Sequence, residues 1–357
     1  MDYHPFFLNN TRQFLAVRQL SFSQLQGVVK RQYAEVHTAL ITSSPVHGIA
    51  NVGSDIDLIC LVPALQQDQA MASQIYLGEH HLEVVAFALE DVERAFAELA
   101  LTARQSTLDK LVTFKSWEKH QPIPKKYMER LISGVSTKEE LPYLEHQSAL
   151  SSVWACAAFD DFRQSACFSI LAWRSGEYRA AAAYASNAVL FLMNAVLAKK
   201  GWVNSNRKWT LLRWYTAFTV LMVFVEDELS RSMEQLWQRT YPACRGGLQR
   251  DDVMRLCELV ERAEREFNCE PDYASLKPHV DVYASSAFMP GVTFVLNEEQ
   301  QATLLPSGVL ADIPDTRPSD LVGQSPHMAD YLLRGARAGL IEFSLAQRNT
   351  TLAGAGS

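Results

Sequence analysis

The stretch "SDIDLICLVP", residues 54–63, places two carboxylates one residue apart in an otherwise apolar run. Its β-branched and apolar residues predict a buried strand. Residues i and i+2 of a strand point to the same side, so Asp55 and Asp57 are expected to lie together while Ile56 and Leu58 face a core. Two like charges this close repel, and we therefore expect a positive group between them.

The segments around this strand complete a small α/β pattern. Residues 21–35 have helical spacing of apolar side chains after candidate Ser caps, and "VHTALITSS" predicts a strand that leads into a loop. "SQIYLGEHHLEVVAF" predicts a hairpin that turns at Gly78 and Glu79, and "EDVERAFAELAL" predicts a helix after it. The second arm of the hairpin carries Glu83, which would add a third carboxylate beside the first two. Glu79 competes for that role.

The periodicity changes along the rest of the chain, and we predict an α+β fold in three parts. A small mixed-sheet α/β domain spans residues 1–120, and an all-helical domain spans 140–270. A small C-terminal α+β region with a hairpin and a helix follows over 271–357. The charged, proline-containing "KSWEKHQPIPKKYMER" is a candidate linker. The tail "NTTLAGAGS" is predicted to be disordered.

Composition bounds the class of protein. The formal charge of −7 and the pI near 5.8 argue against a nucleic-acid partner, which would need a clustered basic face. The six cysteines have no CxxC spacing, so a reduced, cytoplasmic protein is expected. The N-terminus has no signal-peptide pattern, and the apolar "TAFTVLMVFV" is too short to span a bilayer, so no membrane association is expected. The composition is compatible with a homo-oligomer.

Three carboxylates on adjacent strands make an oxygen-rich site suited to Mg²⁺, which takes a few carboxylates and completes its shell with phosphate oxygens and water. Two such ions could clamp the attacking and leaving oxygens of a phosphoryl or nucleotidyl transfer. The preceding loop "SSPVHG" offers the Ser43 and Ser44 hydroxyls, backbone N–H groups and a freely turning Gly48, where a triphosphate could be cradled. His47 in the same loop would lie near a bound phosphate.

The pattern "S-S-x-x-x-G" followed by "S-D-I-D-L" resembles the signature of the nucleotidyltransferase superfamily, which includes DNA polymerase β and the aminoglycoside and lincosamide nucleotidyltransferases. In that family a Gly-Ser pair opens the loop and an Asp-x-Asp follows on the next strand. The resemblance implies that Asp55, Asp57 and Glu83 bind the metal and that Ser44 contacts the distal phosphates. Ser43 replaces the family glycine, and its Cβ is expected to obstruct close approach of the backbone to phosphate.

The resemblance extends more weakly beyond the first domain. The segment "RSGEYRAAAAYASNAVLFLMNAVLAKKGWVNSNRKW" is similar to the helical partner domain of small-molecule nucleotidyltransferases. By that analogy Lys208 reaches the triphosphate, and Arg174 or Arg179 shapes the acceptor pocket. We also expect Ser54, the first residue of "S-D-I-D-L", to bind the nucleotide. A surface lysine at a helix start is an equally good interpretation of Lys208.

The function that the resemblance implies is a Mg²⁺-dependent transfer of a nucleoside monophosphate, AMP from ATP in the interpretation we favour, to the hydroxyl of a small molecule with release of pyrophosphate. A first alternative is a protein acceptor, as in AMP-transferring or antitoxin-like members, with residues 271–357 choosing the acceptor. A second is a catalytically degenerate nucleotide-binding scaffold, which only Ser43 supports. The acceptor, the base and the general base stay open.

Overall fold

The structure is a computed structural model of the chain. It describes residues 3–33, 35–65, 72–219, 228–240, 247–267, 276–279, 283–289, 292–296, 302–306, 318–337 and 342–345. The chain divides into two compact units, of which the first comprises Met1–Ala157 with Asn194–Thr216 and the second comprises Ala158–Met193 with Ala217–Ser357.

A five-stranded mixed sheet forms the centre of the first unit. Its strands are β1 (Thr38–Ile41), β2 (Ile56–Val62), β3 (Ser73–Leu77), β4 (His80–Ala88) and β5 (Val135–Ser136). Their order in the sheet is β3-β4-β2-β1-β5, in which β2 and β4 run parallel and every other pair is antiparallel. The predicted hairpin is confirmed as β3 and β4, which turn at Gly78 and Glu79.

The two faces of this sheet differ in chemistry. Alternate residues of β2 and β4, among them Leu58 and Val84, pack in a hydrophobic core with helices α1 (Tyr3–Val17) and α2 (Phe22–Gln32). Asp57 and Glu83 lie on the opposite face because side chains alternate along a strand. These two residues are direct register partners in the parallel β2–β4 pair.

The remaining helices of the first unit are α3 (Leu89–Thr102), α4 (Thr107–His120), α5 (Lys125–Ser133), the start of α6 (Gln147–Arg174), the end of α7 (Tyr178–Lys199) and most of α8 (Thr210–Thr219). The predicted helix at residues 21–35 is confirmed as α2, which begins at Ser21 with a capping box. The segment with linker-like composition instead forms the end of α4 and helix α5.

The second unit contains the rest of α6 and α7, and helices α9 (Glu228–Thr240), α10 (Arg250–Glu266) and α11 (Pro326–Arg337). Its strands are β6 (Leu276–His279), β7 (Tyr283–Met289), β8 (Val292–Leu296), β9 (Ala302–Pro306) and β10 (Glu342–Leu345). The order β7-β8-β9 forms one antiparallel sheet, and β10 pairs with β6. The predicted α+β fold, a mixed sheet followed by helices, is confirmed.

Helix α7 has the length and hydropathy of a membrane-spanning helix, a feature that the sequence interpretation passed over. However, 61% of its most apolar 18-residue window is buried inside the protein, and core helices of soluble proteins meet the same criteria. The length and composition of α7 are therefore weak grounds for a membrane span. Most of "TAFTVLMVFV" and the whole tail "NTTLAGAGS" lie outside the described residues.

Candidate functional site

A cavity of about 360 Å³ in the first unit collects most of the predicted site residues. Its size falls within the range of small-molecule sites, roughly 300–1,000 Å³. It is lined by Ser43, Ser44, His47, Gly53, Ser54, Asp55, Asp57, Lys126, Glu129, Arg130, Asn204, Ser205, Asn206, Lys208 and Trp209. The predicted residues Gly48 and Glu83 are not in this lining set.

The two aspartates of the cavity each have a basic neighbour of their own, whereas the sequence led us to expect one positive group between them. Asp55 lies immediately before β2, and its Oδ1 is 2.9 Å from Nδ1 of His81 on β4. Asp57, the second residue of β2, has its Oδ1 3.9 Å from Nη1 of Arg130. Both pairs are partly exposed, so the side chains can exchange these partners for a ligand at modest cost.

The loop after β1 approaches the cavity through an unusual backbone conformation at Ser43. Its φ is +65°, in the left-handed region that costs a non-glycine residue roughly 1–2 kcal/mol. Ser43 lines the cavity, and its Oγ is buried with no hydrogen-bond partner among the described residues. Backbone strain and orphaned polar atoms cluster at functional sites, so Ser43 is a candidate for a binding residue, and its predicted nucleotide contact stays a prediction.

Gly48 shapes the same loop from outside the cavity. Its φ is +69°, and a Cβ at this position would lie 2.9 Å from the side chain of Asn10. Asn10, on α1, donates a hydrogen bond of 3.1 Å to the carbonyl of Val46 and so holds the loop against that helix. Glycine is therefore required here for the turn and for the close approach of α1, whereas its predicted phosphate contact stays a prediction.

Arg18, also on α1, braces the segment that leads into β2. One of its Nη atoms donates to the carbonyls of Asn51, Val52 and Ser54 at 2.8–3.0 Å. The Ser54 hydroxyl accepts from the Asn51 N–H at 2.9 Å and lies 3.2 Å from the Asn51 side-chain oxygen. Ser54 therefore closes a local turn, and a nucleotide would have to share its hydroxyl with that turn.

Helix α5 supplies the positive charge that the sequence interpretation missed. Lys126 and Arg130 are one helical turn apart, and both line the cavity. Lys208, the predicted triphosphate ligand, lines the same cavity, with its Nζ 4.9 Å from the centre of the Trp209 ring. Three cationic side chains therefore line the same cavity as the two aspartates, which suits a polyanionic ligand that brings its own metal ion.

A buried network holds the segment that carries Lys208. Glu129 on α5 accepts a 2.9 Å hydrogen bond from the N–H of Ser205 and another from the Trp154 indole. Arg213, fully buried, donates to the carbonyls of Trp202 and Asn204. Burial raises the pKa of the Glu129 carboxyl above its usual range and lowers the pKa of Arg213 to about 10, which leaves the guanidinium charged near neutral pH.

The residues of the cavity fit a Mg²⁺ ion only in part. Mg²⁺ is usually held by one or two carboxylates together with substrate phosphates, a requirement that Asp55 and Asp57 meet. Glu83 is the register partner of Asp57 but does not line the cavity. Among the residues that the structure describes, no group of three or more His, Cys, Asp and Glu side chains is arranged to hold a metal ion. The predicted metal-binding role of Asp55, Asp57 and Glu83 stays a prediction.

Arg174 and Arg179 belong to the second unit, at the end of α6 and the start of α7. The guanidinium of Arg174 donates to the carbonyl of Gln324. Their predicted role in an acceptor pocket stays a prediction.

The fold and the site define an α+β protein with an anion-suited cavity beside an acidic strand. The chain belongs to DUF6001, described as a family of unknown function, whose family model matches residues 6–347. No curated protein matches the chain. A solved structure of a nucleotidyltransferase-like protein from Exiguobacterium sibiricum 255-15 is similar to it, with 12% identity, a TM-score of 0.33, and 92% of this chain and 95% of that chain covered.

Proposed function

We propose that this protein is a nucleotidyltransferase that binds a nucleoside triphosphate in the cavity of the first unit. The observation that carries the proposal is the convergence in one cavity of the Ser43–Ser44 loop, two adjacent aspartates and three cationic side chains. A triphosphate needs cations and hydroxyl or N–H donors along its oxygens, and a metal-assisted transfer needs carboxylates beside them.

The reaction is the transfer of a nucleoside monophosphate to a hydroxyl of a small molecule. The acceptor oxygen bonds to the α-phosphorus as the bond from that phosphorus to the α,β-bridging oxygen breaks. Pyrophosphate leaves with the bonding electron pair, and the hydroxyl proton is released to solvent. Lys126, Arg130 and Lys208 would stabilise the negative charge that builds up on the departing pyrophosphate.

Asp55 and Asp57 would hold Mg²⁺ together with phosphate oxygens. When bound, the ion would neutralise phosphate charge and polarise the reacting phosphoryl group. Arg130 and His81, which neighbour these carboxylates, would then be released to face the phosphates and solvent. We retain ATP as the preferred nucleotide, a small molecule as the preferred acceptor and the cytoplasm as the location, with a protein acceptor as the alternative.

The proposal is tested by following the two ends of the nucleotide separately. We expect Mg²⁺ with one nucleoside triphosphate to raise the melting temperature, because a ligand that binds only the folded state stabilises it. The panel compares ATP, GTP, CTP and UTP, each with and without Mg²⁺. The stabilising nucleotide is then supplied with a label on the α- or the γ-phosphate, together with a small-molecule extract or a protein extract.

Label from the α-phosphate should appear in the small-molecule fraction while label from the γ-phosphate appears in pyrophosphate. Appearance of the α-label on polypeptides would favour the protein acceptor instead. Transfer of the γ-label would contradict nucleotidyl transfer, and the absence of any stabilisation by Mg²⁺ and nucleotide would contradict the site itself.

One observation favours a second candidate, a nucleotide-binding scaffold that has lost catalysis. The carboxylates of Asp55 and Asp57 lie beside His81 and Arg130, and Glu83 is not among the cavity residues. Such a protein would show Mg²⁺-independent nucleotide stabilisation and no pyrophosphate release. The same panel therefore separates the two candidates.

Ser43 provides a matched pair of variants. Ser43→Ala removes the orphaned hydroxyl but keeps the strained backbone, whereas Ser43→Gly removes both. We expect Ser43→Ala to bind the nucleotide several-fold more weakly, and Ser43→Gly to be more stable than Ser43→Ala by about 1 kcal/mol because glycine adopts positive φ freely. Nucleotide titration and urea unfolding measure the two effects. Wild-type nucleotide affinity in both variants would show that the Ser43 hydroxyl does not contact the nucleotide.

A further inference from the structure

His47 is a buried histidine in the wall of the proposed nucleotide site. It lies in the loop after β1, only 3% of its surface is exposed, and it lines the cavity. Its ring makes a T-shaped contact with the ring of Phe7, in which the ring centroids are 5.5 Å apart and the angle between the ring planes is 86°. On the same ring, Nδ1 accepts a 2.9 Å hydrogen bond from the indole N–H of Trp202. Within the part of the chain that the structure describes, no hydrogen bond occupies Nε2, so this ring nitrogen is available to a ligand.

The contact with Trp202 determines which nitrogen of His47 carries the proton. An indole nitrogen is a donor only, so Nδ1 of His47 must be the unprotonated acceptor. A neutral imidazole with an unprotonated Nδ1 has its proton on Nε2. The ring consequently offers an N–H donor at Nε2, on the opposite side of the ring from Trp202.

We infer that His47 is a neutral hydrogen-bond donor that presents its Nε2–H to a phosphate oxygen of the ligand, with Trp202 fixing the tautomer. The inference rests on the proposed function, and it adds a phosphate-binding residue and a positioning residue to that site. A backbone N–H plays the same part in many phosphate sites, and His47 supplies such a donor from a side chain.

The surroundings of His47 explain why the donor is neutral. Burial, together with the nearby guanidinium groups of Arg213 and Arg130, lowers the pKa of its imidazole to about 3. A second proton would also have to occupy Nδ1, where it would oppose the indole N–H of Trp202. The positive charge that binds phosphate therefore comes from the lysines and arginines, and His47 contributes an uncharged N–H donor of fixed orientation.

Two substitutions test the roles of the two nitrogens of the His47 ring separately. In His47→Asn the amide oxygen can take the place of Nδ1 and accept from Trp202, but no donor remains at the position of Nε2. In His47→Gln the longer side chain brings an amide N–H close to that position. We expect pyrophosphate with Mg²⁺ to bind His47→Asn about tenfold more weakly than wild type, the loss for one hydrogen bond to a charged group. His47→Gln should retain more of the affinity.

The tautomer is read directly by ¹⁵N NMR of the imidazole nitrogens in the ligand-free protein. The chain has nine histidines, and the signals that disappear in His47→Gln assign those of His47. We expect a protonated Nε2 in wild type and a mixture of the two tautomers in Trp202→Phe. This readout does not require any variant to bind a ligand.

The outcomes distinguish this inference from the proposed function. A protonated Nε2 together with weaker pyrophosphate binding by His47→Asn supports the inference. A protonated Nδ1, or equal pyrophosphate affinity in wild type and His47→Asn, overturns it while leaving nucleotide binding intact. Failure of the wild-type protein to bind either pyrophosphate or any nucleoside triphosphate overturns the proposed function and the inference together.

Discussion

Asp57→Asn is expected to reduce nucleotidyl transfer by about a hundredfold or more while changing the free energy of unfolding by less than about 0.5 kcal/mol. The change in activity should be large because an amide cannot replace a carboxylate that holds Mg²⁺ against phosphate. The change in stability should be small because the side chains are isosteric and the nearest cation, Arg130, is 3.9 Å away and partly exposed. The backbone carbonyl of residue 57, which accepts from Thr42 N–H, is unaffected.

The measurement combines α-phosphate transfer with the Mg²⁺-dependent part of the thermal shift. Glu79→Gln is the matched control, since Glu79 is an exposed carboxylate on the β3–β4 turn and does not line the cavity. Glu83→Gln tests whether Glu83 is the third metal ligand. A loss of nucleotidyl transfer as large as that of Asp57→Asn would support the predicted triad of Asp55, Asp57 and Glu83. Wild-type transfer in Asp57→Asn would reject the assignment of the metal site.

The acidic strand and the hairpin beside it could be predicted because their signals are local. Period-two alternation determines which residues of β2 and β4 face the core, and Gly78, at φ +62°, allows the tight turn between β3 and β4. The prediction that Glu83 neighbours the aspartates follows from that pattern, and Asp57 and Glu83 are indeed register partners. The pattern does not determine how side chains are arranged above the sheet, which is why Glu83 could be placed on the correct face without lining the cavity.

Helices α1 and α5 were missed although the sequence carries signals for both. Phe7, Thr11, Phe14 and Leu15 recur at helical spacing and are the buried face of α1. In "PKKYMER", Lys126 and Arg130 are four residues apart, so helix α5 presents both charges on one face. The prolines and the high charge of this segment resemble a linker, because composition does not reveal that its apolar residues face a core.

The anchoring of Lys208 could not be predicted from local pattern at all. The hydrogen bond from Ser205 to Glu129 joins residues 76 positions apart, and the donor is a backbone N–H that any residue would provide. Arg213 likewise donates hydrogen bonds to backbone carbonyls. Every residue has such a carbonyl, so the sequence does not show which residues accept these bonds. Only the burial of a charged residue in an otherwise apolar helix indicates such a network, and burial is a property of the folded chain.

Arg213→Met is expected to lower the free energy of unfolding by about 3–5 kcal/mol, the usual cost of removing one partner from a buried charged network. The substitution preserves much of the volume but leaves the Trp202 and Asn204 carbonyls and the Asn194 side-chain oxygen without the donor they share. It also removes a positive charge that stabilises the ionised form of the buried Glu129. Arg213→Lys should fall between wild type and Arg213→Met, because one ammonium cannot reproduce the planar fork of a guanidinium.

Urea unfolding measures this loss, with Arg104→Met as the control because Arg104 is an exposed arginine in the turn between α3 and α4. That control should change stability by less than about 0.5 kcal/mol. Because the Arg213 network holds the segment that carries Lys208, the folded fraction of Arg213→Lys should also bind nucleotide more weakly than wild type. Near wild-type stability for Arg213→Met would mean that the carbonyls find other donors and that the network does not position Lys208.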